Sequence, residues 1–347
     1  MRAVAYTDYG SLPRVVEAAE PACPEDGVVI AVRATGVCRS DWHAWKGHDP
    51  VTLPHTPGHE LAGVVAEVGP AVRRWSVGDR VTVPFVCGCG TCDWCAAGEA
   101  QVCPNQTQPG FTGPGSFAER VAVHAADLNL VLLPDSVDFV TAASLGCRFA
   151  TAFRALTVHG RVGHGDWLVV HGCGGVGLSA VMIGAALGAR VVAVDVSPAA
   201  LERARAVGAE VVVDARERAD VAERVREATS GGAHVSLDAL GAPETSVASV
   251  LSLRRRGRHV QVGLLLGDAA TPPLPMDRVV AHELEVYGSH GMAAHEYPAM
   301  LAMVEDGRFQ PDLLVGDVID LDRAGEALAA MDRPRAGAGM TVVSLPA

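Results

Sequence analysis

At 347 residues, 49% of them apolar and 20% charged, the chain is too long for one compact core and can bury two. A formal net charge of −12 excludes the electrostatic footprint of a nucleic-acid or anionic-membrane binder. Nine cysteines are an odd count, mostly crowded into one segment, and Met1-Arg2-Ala3-Val4-Ala5-Tyr6 carries no apolar leader; metal ligation is favoured over disulfides, and a cytoplasmic location is expected.

Up to about residue 148 the chain offers short β-type runs separated by Gly, Pro and Asp. Examples are Gly27-Val28-Val29-Ile30-Ala31-Val32, Gly63-Val64-Val65-Ala66-Glu67-Val68 and Arg80-Val81-Thr82-Val83. Strands of this kind with turn signals between them predict a barrel-like β domain. From about 149 the rhythm becomes alternating strand and helix. Leu168-Val169-Val170 reads as a buried strand and Gly175 to Leu187 as a helix. Val191-Val192-Ala193-Val194, Pro198 to Val207, Val211-Val212-Val213 and Arg216 to Ala228 continue the alternation, followed by strands at His234 to Leu240, Arg258 to Val262 and Leu284 to Tyr287. Such alternation predicts parallel βαβ units. The uncharged stretch from Trp167 to Ala189 is long enough to span a bilayer, but its glycines and His171 read better as strand, turn and helix. Arg254-Arg255-Arg256-Gly257-Arg258 reads as a solvated turn before a strand. Residues after about 288 are too few for a third core and are expected to fold back onto the first domain.

Three constellations carry chemistry. Cys89-Gly90-Thr91-Cys92-Asp93-Trp94-Cys95, with Cys103 following, places four thiolates where they can close a tetrahedron around one Zn²⁺ and leave no open position. A dispersed set, Gly36-Val37-Cys38-Arg39-Ser40-Asp41-Trp42-His43, Gly58-His59-Glu60 and Gly146-Cys147-Arg148, offers two thiolates, an imidazole and carboxylates. Three such ligands and a water make an open, catalytic zinc site. Finally, Val170-His171-Gly172-Cys173-Gly174-Gly175-Val176-Gly177 is a strand entering a G-x-G-x-x-G turn and a helix. Gly172, Gly174, Gly175 and Gly177 permit a tight turn and close approach to a pyrophosphate at the helix N-terminus, beside Val176. Asp195, at the end of the next strand, is placed to accept hydrogen bonds from adenosine ribose hydroxyls.

These motifs stand in the order found in the zinc-containing medium-chain alcohol dehydrogenases, which the chain resembles over nearly its whole length. Gly58-His59-Glu60 and Gly63, with Gly69 and Val72 at the expected intervals, match the signature around the zinc-ligating histidine. The resemblance implies an α/β protein. A GroES-like β-barrel catalytic domain over 1–148 and 289–347 would be joined to a doubly wound Rossmann domain over 149–288. It implies that Cys38, His59 and Cys147 hold a catalytic zinc, with Glu60 an occasional alternative ligand, and that Cys89, Cys92, Cys95 and Cys103 hold a structural zinc. Asp41 would orient the zinc-binding histidine, and Ser40 and His43 would relay the alcohol proton. Arg39 would contact a cofactor phosphate, Thr151 the nicotinamide, and Gly263 would line the cofactor site.

Phe85 stands where the family places an aromatic pocket residue. Trp45 is a second pocket candidate; Trp42, His48 and Phe111 suit either pocket or packing. Two departures stand out. The C-terminal arginine that many members place on the cofactor phosphates is here Met340, with Arg333 or Arg335 as compensating candidates. The lysine that often follows the ribose carboxylate is also missing near Ala200.

The reaction implied is hydride transfer between a small alcohol and NAD, with NADP disfavoured, giving an aldehyde or ketone and running in reverse. Two zincs per chain and a homo-oligomer, tetramer or dimer, are expected, with neither nucleic acid nor membrane as partner. A zinc-free quinone or enoyl reductase on the same architecture would not need Cys38, His59 and Cys147. A zinc module without enzyme activity is opposed by the acidic balance and the dinucleotide loop.

Overall fold

A computed structural model describes residues 1–216, 220–333 and 339–346. Six strands between residues 167 and 288 form one parallel sheet. Its spatial order is Val211–Asp214, Arg190–Asp195, Trp167–His171, Ala233–Asp238, Leu253–Gln261 and Glu285–Gly288. The chain starts in the middle, winds outward one way, then crosses back and winds the other. The reversal falls between Trp167–His171 and Ala233–Asp238, and ligands favour the crevice at such a switch point. The central strands are buried throughout because helices cover both faces, and this is why their sequences are unbroken apolar runs.

A second sheet of seven strands is mainly antiparallel. Val28–Val37 lies at its heart, paired with Glu60–Val68 on one side and with Met340–Ser344 on the other, and Arg120–Val123 also pairs with it. The strand Val315–Ile319 extends the sheet beyond Met340–Ser344. Two strands from the end of the chain thus complete a sheet begun near its start. Tyr6, Ile30, Leu61, Phe117 and Val343 fill the core of this β-rich body.

Between the two sheets runs a helical stretch over 139–159, where the sequence predicts the end of the β-type region and its boundary. It begins as Phe139–Ser144, capped by Asp138, whose carboxylate accepts the Thr141 N–H at 2.9 Å. Leu145–Phe149 and Ala155–His159 are π-helical turns flanking Ala150–Arg154. The wider turn at Leu145–Phe149 carries Cys147 and Arg148, and such bulges concentrate at functional sites. The stretch is mostly buried, and its polar residues Thr141, Ser144, Arg148, Thr151 and Arg154 fall three or four apart, a helical spacing.

The basic run also differs from expectation. The strand begins at Leu253, before the arginines, so Arg254, Arg255 and Arg256 are solvated strand residues and not a turn. Trp167 to Ala189 is divided between a strand and the helix Gly175–Ala186, and no helix among the described residues is long and apolar enough to cross a membrane.

Candidate active site

Three elements bring the first cluster together. Cys38 ends the strand Val28–Val37 and caps the helix Arg39–Trp45; His59 and Glu60 open the strand Glu60–Val68; Cys147 sits in the π-helical turn. One ligand atom from each of Cys38, His59, Glu60 and Cys147 lies within 4.8 Å of the other three. Asp41 supports the cluster from behind. One of its oxygens accepts the Cys38 N–H at 3.1 Å, and the other accepts the Gly58 N–H at 3.0 Å and His59 Nδ1 at 2.9 Å.

The donor set fits a borderline-soft cation such as Zn²⁺. With Nδ1 committed to Asp41, Nε2 of His59 is the nitrogen left to face a cation, and this buried atom has no hydrogen-bond partner. Cys147 shares a proton with Cys38, holding the Cys38 thiol well below its ordinary pKa, with His59 helping and burial opposing. The same contact, reinforced by burial, pushes Cys147 well up. Burial works against charge on His59, but Asp41 and then Cys38 outweigh it and raise its pKa. The metal-free cluster therefore carries protons that a cation would displace.

Glu60 is held more tightly than a free fourth ligand would be. Its Oε1 accepts from the backbone N–H groups of Cys147 and Arg148, both at 3.2 Å, and from Arg148 Nε at 2.9 Å; Oε2 accepts from Arg148 Nη2. Arg148, unassigned in the sequence reading, is thus part of the site.

Cys89, Cys92, Cys95 and Cys103 form a second cluster within the same 4.8 Å limit. Cys92 caps the short helix Asp93–Ala96, which places Cys95 one turn on, and the Cys92 and Cys103 sulfurs are 3.6 Å apart. Hydrogen bonds from Thr91 lower Cys89 to about 5, whereas burial raises Cys95 to about 12. Arg154 ties this lobe to the body, pairing with Glu99 at 2.9 Å and Glu296 at 3.2 Å.

At the glycine turn, Gly172 has φ +89° and Gly174 caps the helix Gly175–Ala186. A Cβ on Gly177 would stand 1.7 Å from the Gly172 carbonyl oxygen, so the helix packs directly on the turn. Val176 packs half-buried against the core at the same helix start. Gly263 packs on Gly241, where a Cβ would meet the backbone nitrogen at 2.2 Å. Asp195 is held by backbone donors, accepting from the N–H of Cys173 and of Ser197, each at 2.7 Å. Thr151 is buried, and its hydroxyl has no hydrogen-bond partner among the described residues.

Around His59 the rings of Phe85 and Phe111 stand at centroid distances of 6.0 and 5.2 Å, and His290 lies 5.1 Å from Phe85. His290 was not singled out from sequence; it is an isolated histidine in a mixed segment, with no motif to mark it. Trp94, Arg154, His159, Gly263, Leu264 and His290 line a cleft between the cysteine lobe and the ends of the parallel strands.

Trp45 requires correction. It is 3% exposed, donates from Nε1 to the Ser11 carbonyl at 2.6 Å and packs in the β-rich core, away from this pocket. Its place on the inward face of Arg39–Trp45 decides this. Ser40 lies beside Cys38, their side-chain heteroatoms 3.9 Å apart, and His43 is one turn on, its Nδ1 3.2 Å from Nδ1 of His48. Arg39 stacks over Trp42 at 4.7 Å and donates from Nη1 to the Met331 carbonyl at 2.9 Å, and it stands exposed at the start of its helix. Met340 is buried in its strand, Arg333 is exposed, and Arg335 lies outside the described residues.

Two family models match the chain. Residues 24–135 match the alcohol dehydrogenase GroES-like domain, and residues 175–306 match the zinc-binding dehydrogenase family. The chain belongs to the zinc-dependent medium-chain alcohol dehydrogenases. An alcohol dehydrogenase of Geobacillus stearothermophilus is 33% identical over 92% of this chain and 95% of its own length. The solved alcohol dehydrogenase TADH from Thermus sp. ATN1 superposes with a TM-score of 0.91 at 30% identity, covering 99% of both chains. A solved structure described as an NAD-dependent alcohol dehydrogenase gives a TM-score of 0.88 at 30% identity over the full length of both. Members of this family share the fold seen here, a GroES-like β body and a Rossmann-type parallel sheet.

Proposed function

We propose that the protein is an NAD-linked, zinc-dependent alcohol dehydrogenase that oxidises a small alcohol to an aldehyde or ketone and catalyses the reverse reduction. The observation that carries this reading is His59. Its buried, unpartnered Nε2 shares one cluster with two cysteine sulfurs and a carboxylate. Cys38, His59 and Cys147 would hold the catalytic zinc, with Glu60 beside it, and Cys89, Cys92, Cys95 and Cys103 the structural one. When bound, zinc supplies Lewis acidity toward the alcohol oxygen and NAD supplies the hydride acceptor.

The chain's own residues then have separable tasks. Asp41 fixes the tautomer and direction of His59. Ser40 accepts the alcohol proton and His43 carries it toward solvent along one face of Arg39–Trp45, since positions three apart on a helix are neighbours. Phe85 and Phe111 exclude water from the reacting carbon. The unpaired Thr151 hydroxyl is positioned for the nicotinamide end, the glycine turn for the pyrophosphate, and Asp195 for the adenosine ribose. Gly263 lets the opposite loop lie close enough to wall the cleft.

The same reading divides the chain into a catalytic domain over 1–148 and 289–347 and a cofactor domain over 149–288. It expects a homo-oligomer, tetramer or dimer, in the cytoplasm. The test is zinc content together with activity toward primary, secondary and aromatic alcohols with NAD⁺. About two zincs per chain and NAD⁺-dependent oxidation support the proposal. A protein with one zinc or none that reduces quinones or enoyl compounds instead would overturn it.

A further inference from the structure

Arg148 occupies a place that the reaction above does not explain. Its side chain is 7% exposed and sits between two halves of the molecule. On one side Nε and Nη2 bind the carboxylate of Glu60, itself 0% exposed. On the other, its stem crosses the first residue of the helix Gly175–Ala186. A Cβ at Gly175 would lie 2.4 Å from Arg148 Cδ, and one at Gly36 would lie 2.8 Å from Nη2. Glycine at 175 therefore admits an arginine as well as a ligand.

A guanidinium has five N–H donors in a planar fork. Glu60 takes one from Nε and one from Nη2, and Nη1 has no hydrogen-bond partner among the described residues. The fork thus has one edge on an anion and a second edge unused, next to the N-terminus of a twelve-residue helix. That helix end presents unpaired N–H groups and a partial positive charge. A nearly buried cation whose charge is already met by Glu60 can turn its spare donors to an anion without first being stripped of water. Met340 is buried and uncharged.

We propose that Arg148 is the side chain that grips the cofactor's pyrophosphate, clamped between Glu60 of the metal cluster and the glycine turn. The inference rests on the dinucleotide reading given above and assigns Arg148 as a positioning residue. It links the two halves of the site, because one guanidinium touches both the carboxylate beside the metal ligands and the phosphates.

The test uses the zinc-loaded protein and NADH titrated by fluorescence, with ADP-ribose and adenosine as competitors. Arg148→Met should weaken NADH and ADP-ribose on the order of tenfold to a hundredfold while adenosine changes by no more than about twofold. Arg148→Lys should recover part of the loss. Removing Arg148 alone strands a buried carboxylate, so the double variant Glu60→Gln/Arg148→Met serves where the single one fails to fold, and it should show the same selective loss. Equal weakening of all three ligands, or unchanged NADH affinity, overturns the assignment. A wild-type protein that binds neither NADH nor ADP-ribose overturns the cofactor reading as well, whereas tight wild-type binding with indifferent variants overturns the role of Arg148 alone.

Discussion

The carboxylate of Asp41 accepts a 2.9 Å hydrogen bond from Nδ1 of His59, and neither side chain reaches solvent. This contact decides which imidazole nitrogen is free. It also joins two chain segments, because the same carboxylate takes the backbone N–H groups of Cys38 and Gly58. A neutral amide in its place keeps the shape but loses the charge, and turns an NH₂ group toward at least one N–H.

Asp41→Asn should therefore weaken zinc binding by roughly 10- to 100-fold and lower activity with it, as loss of such a supporting partner does elsewhere. Chelator competition monitored by zinc release gives the affinity directly. Retention of wild-type affinity would show that His59 is oriented by packing alone.

Gly177 and Gly174 make opposite demands. Gly177→Ala drives a Cβ to 1.7 Å from a backbone oxygen, which cannot step aside, whereas a Cβ at Gly174 meets nothing within 4 Å. Gly177→Ala should cost at least about 1–3 kcal/mol of stability, the range for overpacking. Gly174→Ala should melt as wild type yet bind NADH more weakly, since the added methyl fills space above the helix start. Thermal melts paired with NADH titrations separate the two, and equal melting temperatures for both variants would contradict the packing described.

The cysteine lobe is small and mostly irregular, with Cys95 and Cys103 packed in a small cluster with Ala100, Ala293 and Leu128. So little apolar contact leaves the metal to hold it. Cys95→Ser should lose one zinc of two, and the melting temperature should fall in step with zinc loss. Full metal content with unchanged melting would remove the lobe from the list of zinc sites.

His43 carries the pH dependence. Burial first, then His48 and Arg39, lower its pKa below 6.5, while Cys38 and Asp49 pull the other way. A proton acceptor must be neutral, so alcohol oxidation should persist to pH values below the ordinary histidine range before its acid limb appears. Stability has the matching sign: the unfolded chain takes the proton more readily, so stability falls as pH drops below 6.5. His48→Gln removes a repelling cation, and the acid limb of kcat/KM should move to higher pH. An unmoved limb would exclude His43 as the titrating group.

How much of this was legible in the sequence depended on the range of the interactions. The cysteine lobe and the glycine turn are local, and their spacings carry their geometry. The parallel sheet showed itself because Leu168, Val169 and Val170 must be apolar on both faces. Arg148 was opaque: its partner Glu60 is 88 residues away, and an arginine beside a cysteine reads as a surface charge until the fold closes over it. The helical stretch over 139–159 does show its period, in Thr141, Ser144, Arg148, Thr151 and Arg154 three or four apart, but it straddles the boundary between the two textures of the chain. Trp45 misled because an aromatic residue close to a ligand in sequence can point to the opposite side of a short helix.

Cofactor choice tests Asp195. The Asp195 carboxylate is fixed by the N–H groups of Cys173 and Ser197, so it cannot swing away from a ligand that repels it. It can accept from both adenosine ribose hydroxyls of NAD, and such charge-assisted bonds are the stronger kind. NADP would set a phosphate against it. Nearby cations give little relief: Arg203 bonds the Leu313 carbonyl at 2.9 Å, and Arg216 holds Asp214, itself paired in register with Asp195 on the next strand. A repulsion of this kind, partly desolvated, is worth on the order of 2–3 kcal/mol, about a hundredfold preference for NAD. Asp195→Ser should narrow that gap mainly by weakening NAD, because it removes an acceptor without adding a cation. The measurement is kcat/KM with each cofactor in wild type and variant. Equal efficiency with NADP in the wild type would refute the role of Asp195 and leave the zinc cluster untouched.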